Sequence, residues 1–169
     1  MEIRQLQRDD DRSQFDCGTE VLNSFLREYA VQNQTKRASV TFVAVEPEES
    51  VIRGYVTVCA GSLLSAELPS RLSRGLSRQP QPVLLVARLG VDARFRRQGI
   101  GSRLLVRAYL QGLAQAQASG CVGILVDAKT DSRTFYEDQG FVRLERSSPG
   151  ETVPFFLPIS AVEDALSAG

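Results

Sequence analysis

The part of this chain best equipped for chemistry is Val91-Asp92-Ala93-Arg94-Phe95-Arg96-Arg97-Gln98-Gly99-Ile100-Gly101-Ser102. An apolar stretch ends, a short basic loop follows, and a Gly-x-Gly pair opens a long run of helical periodicity. Glycine lets a backbone approach a ligand and adopt dihedrals closed to other residues. A helix N-terminus adds unpaired N–H groups and a partial positive charge. Together they make an anion site suited to a pyrophosphate, with Arg96 and Arg97 adding charge beside it. The same pattern also serves as a plain turn. It is a poor dinucleotide fingerprint, because Leu104 and Leu105 follow where a third glycine is needed, and it does not fit a P-loop.

The most restrictive count is that of histidine, which is zero. Ser-His-Asp and Cys-His catalysis, a histidine base and histidine-bound zinc are thereby excluded. Cys17, Cys59 and Cys121 are odd in number and widely spaced, so neither a disulfide framework nor a cysteine metal site is expected, and no metal is implied. They read as packed thiols of a reducing, cytoplasmic compartment. The charged start MEIRQLQRDDD is no signal peptide, and no apolar run approaches the ~20 residues of a membrane span, so no membrane partner is expected.

The net charge of zero conceals an asymmetry. Leu68 to Arg107 holds nine arginines against the single acid Asp92, so this stretch carries +8 and the rest −8. One face is thus expected to meet a polyanion, although part of the excess also fits a solvated helix face.

Elements must position these residues. A length of 169 residues suits one domain, expected to span 1–169. Glu2 to Leu6 alternates like a first strand. Phe15-Asp16-Cys17-Gly18 breaks the chain before a helix whose core face is expected to hold Val21, Leu22, Phe25, Leu26, Tyr29 and Ala30, with Asn23 off that face and Thr19 or Asp16 as cap. Ser39–Val45 and Val51–Ser62 read as a hairpin, and Val83–Val91 as a central strand. A helix over Gly99–Gln117, a strand over Cys121–Val126 and a short helix over Asp131–Gln139 stopped at Gly140 come next. Phe141–Leu144 and Thr152–Leu157 close the sheet, and Ile159–Leu166 forms a last helical turn. The order implies an α/β fold with a mixed sheet.

Arg96-Arg97-Gln98-Gly99-Ile100-Gly101 resembles the [QR]-x-x-G-x-[GA] signature of the GCN5-related N-acetyltransferase (GNAT) family. Leu89-Gly90-Val91-Asp92 sits where that family's central strand bulges, and Phe135-Tyr136-Glu137-Asp138-Gln139-Gly140-Phe141 resembles its F-Y-x-x-x-G-F element. The resemblance covers about residues 40–157 and implies a GNAT fold: a mixed central sheet of about six to seven strands, helices on both faces and a splayed central strand. A finer resemblance, to the TacT-like acetyltransferase toxins of type II toxin–antitoxin modules, rests on Phe15-Asp16-Cys17-Gly18, Leu22-Asn23, Phe25-Leu26, Ala30, Gln32-Asn33, Thr41-Phe42-Val43, Leu68-Pro69 and Ala87 to Asp92.

The resemblance implies acetyl-CoA as cosubstrate. The backbones of Leu89, Gly90 and Val91 are expected on its pantetheine arm, and Arg96, Arg97, Gln98, Gly99, Ile100, Gly101 and Ser102 on its pyrophosphate. Tyr136 is the candidate general acid, since a phenol is protonated at pH 7 and can supply the leaving thiolate with a proton. Lys129 stands where many members carry asparagine. The toxin resemblance implies aminoacyl-tRNA as substrate, a ribbon-helix-helix antitoxin as partner and room for a homodimer. Lys36, Arg37, Arg71, Arg74, Arg78 and Arg88 are the expected tRNA contacts. No residue stands out as general base, although Glu137 or Asp127 acting through water is an option for a lysine amine. An α-amino group of pKa about 7.7–8.0 needs none. The alternatives are acetylation of a small amine or protein N-terminus, and an inactive binding subunit of the same fold.

Overall fold

The computed structural model of the chain describes residues 1–145 and 151–169. The strands are β1 (Glu2–Gln5), β2 (Val40–Val45), β3 (Gly54–Leu63), β4 (Gln81–Val91), β5 (Gly123–Lys129), β6 (Val142–Arg143) and β7 (Thr152–Pro158). They form one seven-stranded sheet in the order β1-β2-β3-β4-β5-β7-β6. β1/β2, β2/β3, β5/β7 and β6/β7 pair antiparallel, and β4/β5 pairs parallel, so the sheet is mixed. The helices are α1 (Glu20–Ser24), α2 (Ala30–Thr35), α3 (Ser70–Ser73), α4 (Ile100–Ala118), α5 (Arg133–Asp138) and α6 (Ile159–Ser167).

The chain divides into two compact units. The first comprises Met1–Cys59 and Ala87–Ala108, the second Ala60–Val86 and Tyr109–Gly169. In the first unit the alternation of β2 sends Val43 and Val45 into a core with Phe15, Phe25, Leu26, Ala30 and Tyr55. Phe42 faces the other way, where Arg107 of α4 lies 4.5 Å above its ring. Helices thus cover both faces of β2. Gly54 permits this, because a Cβ there would stand 3.0 Å from Ile100 and Leu104 of α4. Gln34 ties α2 down by donating to the Leu6 carbonyl (2.8 Å) and accepting from the Thr41 N–H (3.0 Å).

In the second unit Leu125 and Phe156 stand opposite each other on β5 and β7 and join Leu63, Leu68, Val83 and Leu144 in one core. The opposite face carries Ile124, against which α4 closes so tightly at Gly112 that no Cβ fits there. The β4/β5 ladder runs only over Leu84–Val86, five residues short of the end of β4. The peptide groups of Leu89, Gly90 and Val91 lie beyond that ladder.

The first helix departs from its sequence pattern. Between α1 and α2 lies a π-helical turn, Phe25–Tyr29, closed by the Ala30 N–H donating to the Phe25 carbonyl five residues back. Leu26 and Ala30 are fully buried, but Val21 and Tyr29, expected on the same face, are 68 % and 53 % exposed. Asn23, expected off the core, is buried. Thr19 holds the N-cap position without a side-chain bond. The strand expected from Val51 begins at Gly54, Val51 itself making an isolated bridge to Asp11.

Candidate active site

The loop leaving β4 is held by a polar network inside the first unit. Asp92 is 1 % exposed and caps the short 3-10 turn Ala93–Phe95 by accepting from the Arg94 N–H at 2.9 Å. Its carboxylate also binds the Arg94 guanidinium (2.9 and 3.0 Å) and the Asp16 N–H (3.1 Å). Burial pushes this carboxyl up, but the Arg94 side chain and the two backbone donors outweigh it and hold it below the ordinary carboxylate range. Asp16 in turn accepts from the Gly18 N–H (2.8 Å) and the Asn23 amide (2.9 Å), and Asn23 accepts from the Cys17 N–H (2.8 Å). The Arg96 guanidinium donates to the Cys17 carbonyl. The Phe15–Gly18 turn and the exit of β4, 76 residues apart, are therefore one structure.

From this clamp the loop enters α4. Arg97 and Gly99 both adopt left-handed backbone, with φ of 62° and 76°. Two left-handed residues just ahead of a 19-residue helix bend the chain sharply at the helix N-terminus, where partial positive charge draws anions. A Cβ on Gly99 meets nothing within 4 Å, so what demands glycine here is the dihedral and the open space above it. Arg96, Arg97, Gln98 and Gly99 are exposed, Gly101 and Ser102 are half-buried, and Ile100 is buried and anchors the turn. The arginine charge, the helix start and the space above Gly99 all fit a pyrophosphate. Gly90 is buried against Cys17 and Leu22, while Leu89 and Val91 are half-buried.

Tyr136 belongs to the second unit and sits on α5, which ends in a turn at Gly140 with φ of 91°. Its ring is 4 % exposed and boxed by Phe135 (5.0 Å, edge-on), Phe141 (5.4 Å, edge-on) and Phe155 (6.3 Å, stacked). Burial, with Tyr109 nearby, pushes the phenol well above its ordinary value, so it stays protonated. Burial likewise pushes Tyr109 up to about 12.

The expected tRNA contacts are not gathered into one cluster. Lys36 and Arg37 are exposed where α2 ends, Arg37 with φ of 61°. Arg71 and Arg74 are exposed on and just after α3, and Arg78 is exposed in the segment beyond. Arg88 is half-buried on β4, its guanidinium carbon 3.8 Å above the Phe25 ring centroid. Glu137, Asp127 and Lys129 are exposed. All three cysteines are free thiols pushed up by burial, which suits packing and not nucleophilic attack. Among the described residues no cluster of His, Cys, Asp and Glu could hold a metal, and no helix is long and apolar enough to cross a membrane. Sequence reasoning missed the anchoring role of Asp92 and Asn23, whose partners are distant in the chain.

The first unit thus carries a glycine-containing loop opening α4 beside the end of β4, and the second unit carries a tyrosine boxed by three phenylalanine rings. Residues 37–143 match the acetyltransferase (GNAT) domain. The chain is 34 % identical over 134 residues to a tRNA-acetylating toxin of Mycobacterium tuberculosis, 79 % of each protein being covered. It therefore belongs to the GNAT acetyltransferase family and is an N-acetyltransferase by that membership. Among solved structures it resembles AtaT complexed with acetyl-methionyl-tRNAfMet (TM-score 0.87, 27 % identity, 98 % of each chain covered). It also resembles a tyrosine-to-phenylalanine variant of AtaT bound to acetyl-CoA and the C-terminus of the antitoxin AtaR (TM-score 0.80, 25 % identity, 98 % of each chain).

Proposed function

We propose that this chain is one acetyltransferase domain that takes the acetyl group of acetyl-CoA and places it on the α-amino group of aminoacyl-tRNA, as the cytoplasmic toxin of a toxin–antitoxin pair. The observation that carries the cosubstrate is the left-handed pair Arg97 and Gly99 opening α4 beside the end of β4. The amides from Arg97 to Ser102 hold the pyrophosphate, and the backbones of Leu89, Gly90 and Val91 hold the pantetheine arm. Acetyl-CoA supplies an activated thioester.

The amine attacks the thioester carbonyl, the carbon–sulfur bond breaks, and the Tyr136 hydroxyl gives its proton to the departing sulfur. The amine's own proton leaves to solvent. No histidine is present to take it, which suits an α-amino group already largely neutral near pH 8 and does not suit a lysine side chain. The tRNA-acetylating relative and the AtaT–tRNA complex support this substrate, and the AtaT–AtaR complex supports an antitoxin partner. The +8 stretch 68–107 supplies charge for either polyanion, an RNA backbone or an acidic antitoxin segment.

Labelled acetyl-CoA offered with charged tRNA, uncharged tRNA and a panel of free amines tests this reading. Label is expected only with charged tRNA, and mild base, which cleaves the aminoacyl ester, is expected to release it. Label on free amines alone overturns the substrate, and no label anywhere with acetyl-CoA still bound favours an inactive binding subunit.

A further inference from the structure

Within the first unit a cavity of about 570 Å³ opens beside β4, lined among others by Val21, Phe25, Tyr29, Asn33 and Arg88. A volume of this order suits a small-molecule site. Three features of its wall are unusual together. Arg88 holds its guanidinium carbon 3.8 Å above the Phe25 ring centroid and also lines the cavity, so a planar cation braced on an aromatic ring stands in the wall. Val21 and Tyr29 are exposed, and Tyr29 belongs to the π-helical turn, a distortion that recurs at functional sites. The Asn33 carboxamide offers a donor and an acceptor side by side.

An arginine plane and exposed aromatic rings are what splayed, single-stranded RNA bases stack on. A carboxamide is the side chain that pairs bidentately with an adenine edge. Alternation along β4 puts Arg88 on the face where Gly90 meets Cys17 and Leu22, so the cavity adjoins the strand assigned to the cosubstrate arm. In an aminoacyl ester the ribose is joined directly to the acyl group that carries the reacting amine. We propose that this cavity seats the 3′-terminal adenosine of the acceptor RNA, its base on the Arg88 guanidinium and its edge on Asn33. The inference rests on the aminoacyl-tRNA reading and adds to it a contact that is independent of phosphate charge.

The experiment compares kcat/KM for four acceptors carrying one amino acid: charged tRNA, its amide with 3′-amino-3′-deoxyadenosine, the same amide with 3′-amino-3′-deoxyuridine, and its methyl ester. The adenosine amide is expected to exceed the uridine amide by about tenfold, and both nucleoside amides to exceed the ester. Asn33→Ala is expected to erase the adenosine-over-uridine ratio, and Arg88→Ala the ratio of either nucleoside to ester. Ratios do not move when a variant is merely less stable, and Tyr29→Ala gives a second route to the stacking ratio should Arg88→Ala fail to fold. Charged tRNA acetylated with no preference among the three small acceptors overturns the pocket and leaves the function standing. Unchanged ratios in the variants do the same, and an amino-acid side-chain pocket then becomes its use. Failure to acetylate charged tRNA, with other amines labelled, overturns both.

Discussion

The phosphate loop and the tyrosine box solve opposite problems. The loop from Arg96 to Ser102 works with backbone in the open: two left-handed residues, exposed side chains and a helix start. The box around Tyr136 works with one side chain in the dark: a single hydroxyl walled by three phenylalanine rings. A loop that binds anions must leave its N–H groups unpaired and reachable. A proton donor must keep its proton until the transition state, and an apolar box ensures that by penalising the phenolate. On the roles proposed above, binding is built from dihedrals, and proton supply from burial.

The largest expected effect lies in the box. Tyr136→Phe removes only an oxygen from a buried ring, so kcat is expected to fall about a hundredfold or more while acetyl-CoA affinity by calorimetry stays within about twofold. Equal turnover removes Tyr136 from the chemistry. Because burial raises the phenol above its ordinary value, wild-type kcat/KM with an α-amino acceptor is expected to climb through about pH 8 and hold flat to about pH 10. A falling limb below pH 10 contradicts a raised phenol.

The next effect tests whether the loop is positioned by its clamp. Asp92→Ala removes the buried acceptor of the part-buried Asp16 and Arg94 donors and is expected to cost about 1–2 kcal/mol, or roughly 2–8 °C in Tm. Its folded pKa is depressed, so its contribution is complete above the ordinary carboxylate value near 3.9 and is lost as pH falls through and below it. Asp92→Asn is therefore expected to flatten the acid limb of stability below about pH 4. An unchanged limb denies the clamp its charge.

Of similar size is Gly99→Ala. The space is open, so only the dihedral resists, at about 1–2 kcal/mol. Titration is expected to show weaker acetyl-CoA binding with kcat nearly intact, the reverse of Tyr136→Phe; a matching kcat loss breaks the division of labour. The smallest effect per residue belongs to Arg71, Arg74 and Arg78. Their combined replacement by alanine is expected to lower the slope of log K against log salt for tRNA by up to about 3, which fluorescence titration reads directly.

The two regions also differ in how far the sequence disclosed them. A glycine turn at a helix start is a local device, so Gly99-x-Gly101 before an apolar periodic run named it, and Arg97 joined it as a neighbour. The strand order followed from alternation and turn signals, and β4 and α4 lie where they were expected within two residues. Arg96 was expected on phosphate, yet it also holds the Cys17 carbonyl, a bond across 79 positions that no window of sequence contains. Asn23 looked like a solvent residue because helical spacing alone placed it off the core. What buries it is hydrogen bonding to Asp16 and Cys17, which periodicity does not encode. Tyr29 matched the core period and still faces outward, because the π turn shifts that period partway along.

That turn also sets an angular phase for everything after it. An α-helix advances about 100° per residue, so the extra residue held between Phe25 and Tyr29 acts as a fixed rotation of α2 relative to α1. Forcing a regular α-helix through Phe25–Tyr29 with no residue removed would turn α2 by about that angle. Gln34 would swing away from Leu6 and Thr41, Ala30 would leave the core, and Asn33 would leave the cavity it now lines. The irregularity is thus a phase marker: a helix made more regular at this point would aim every later side chain at the wrong neighbour.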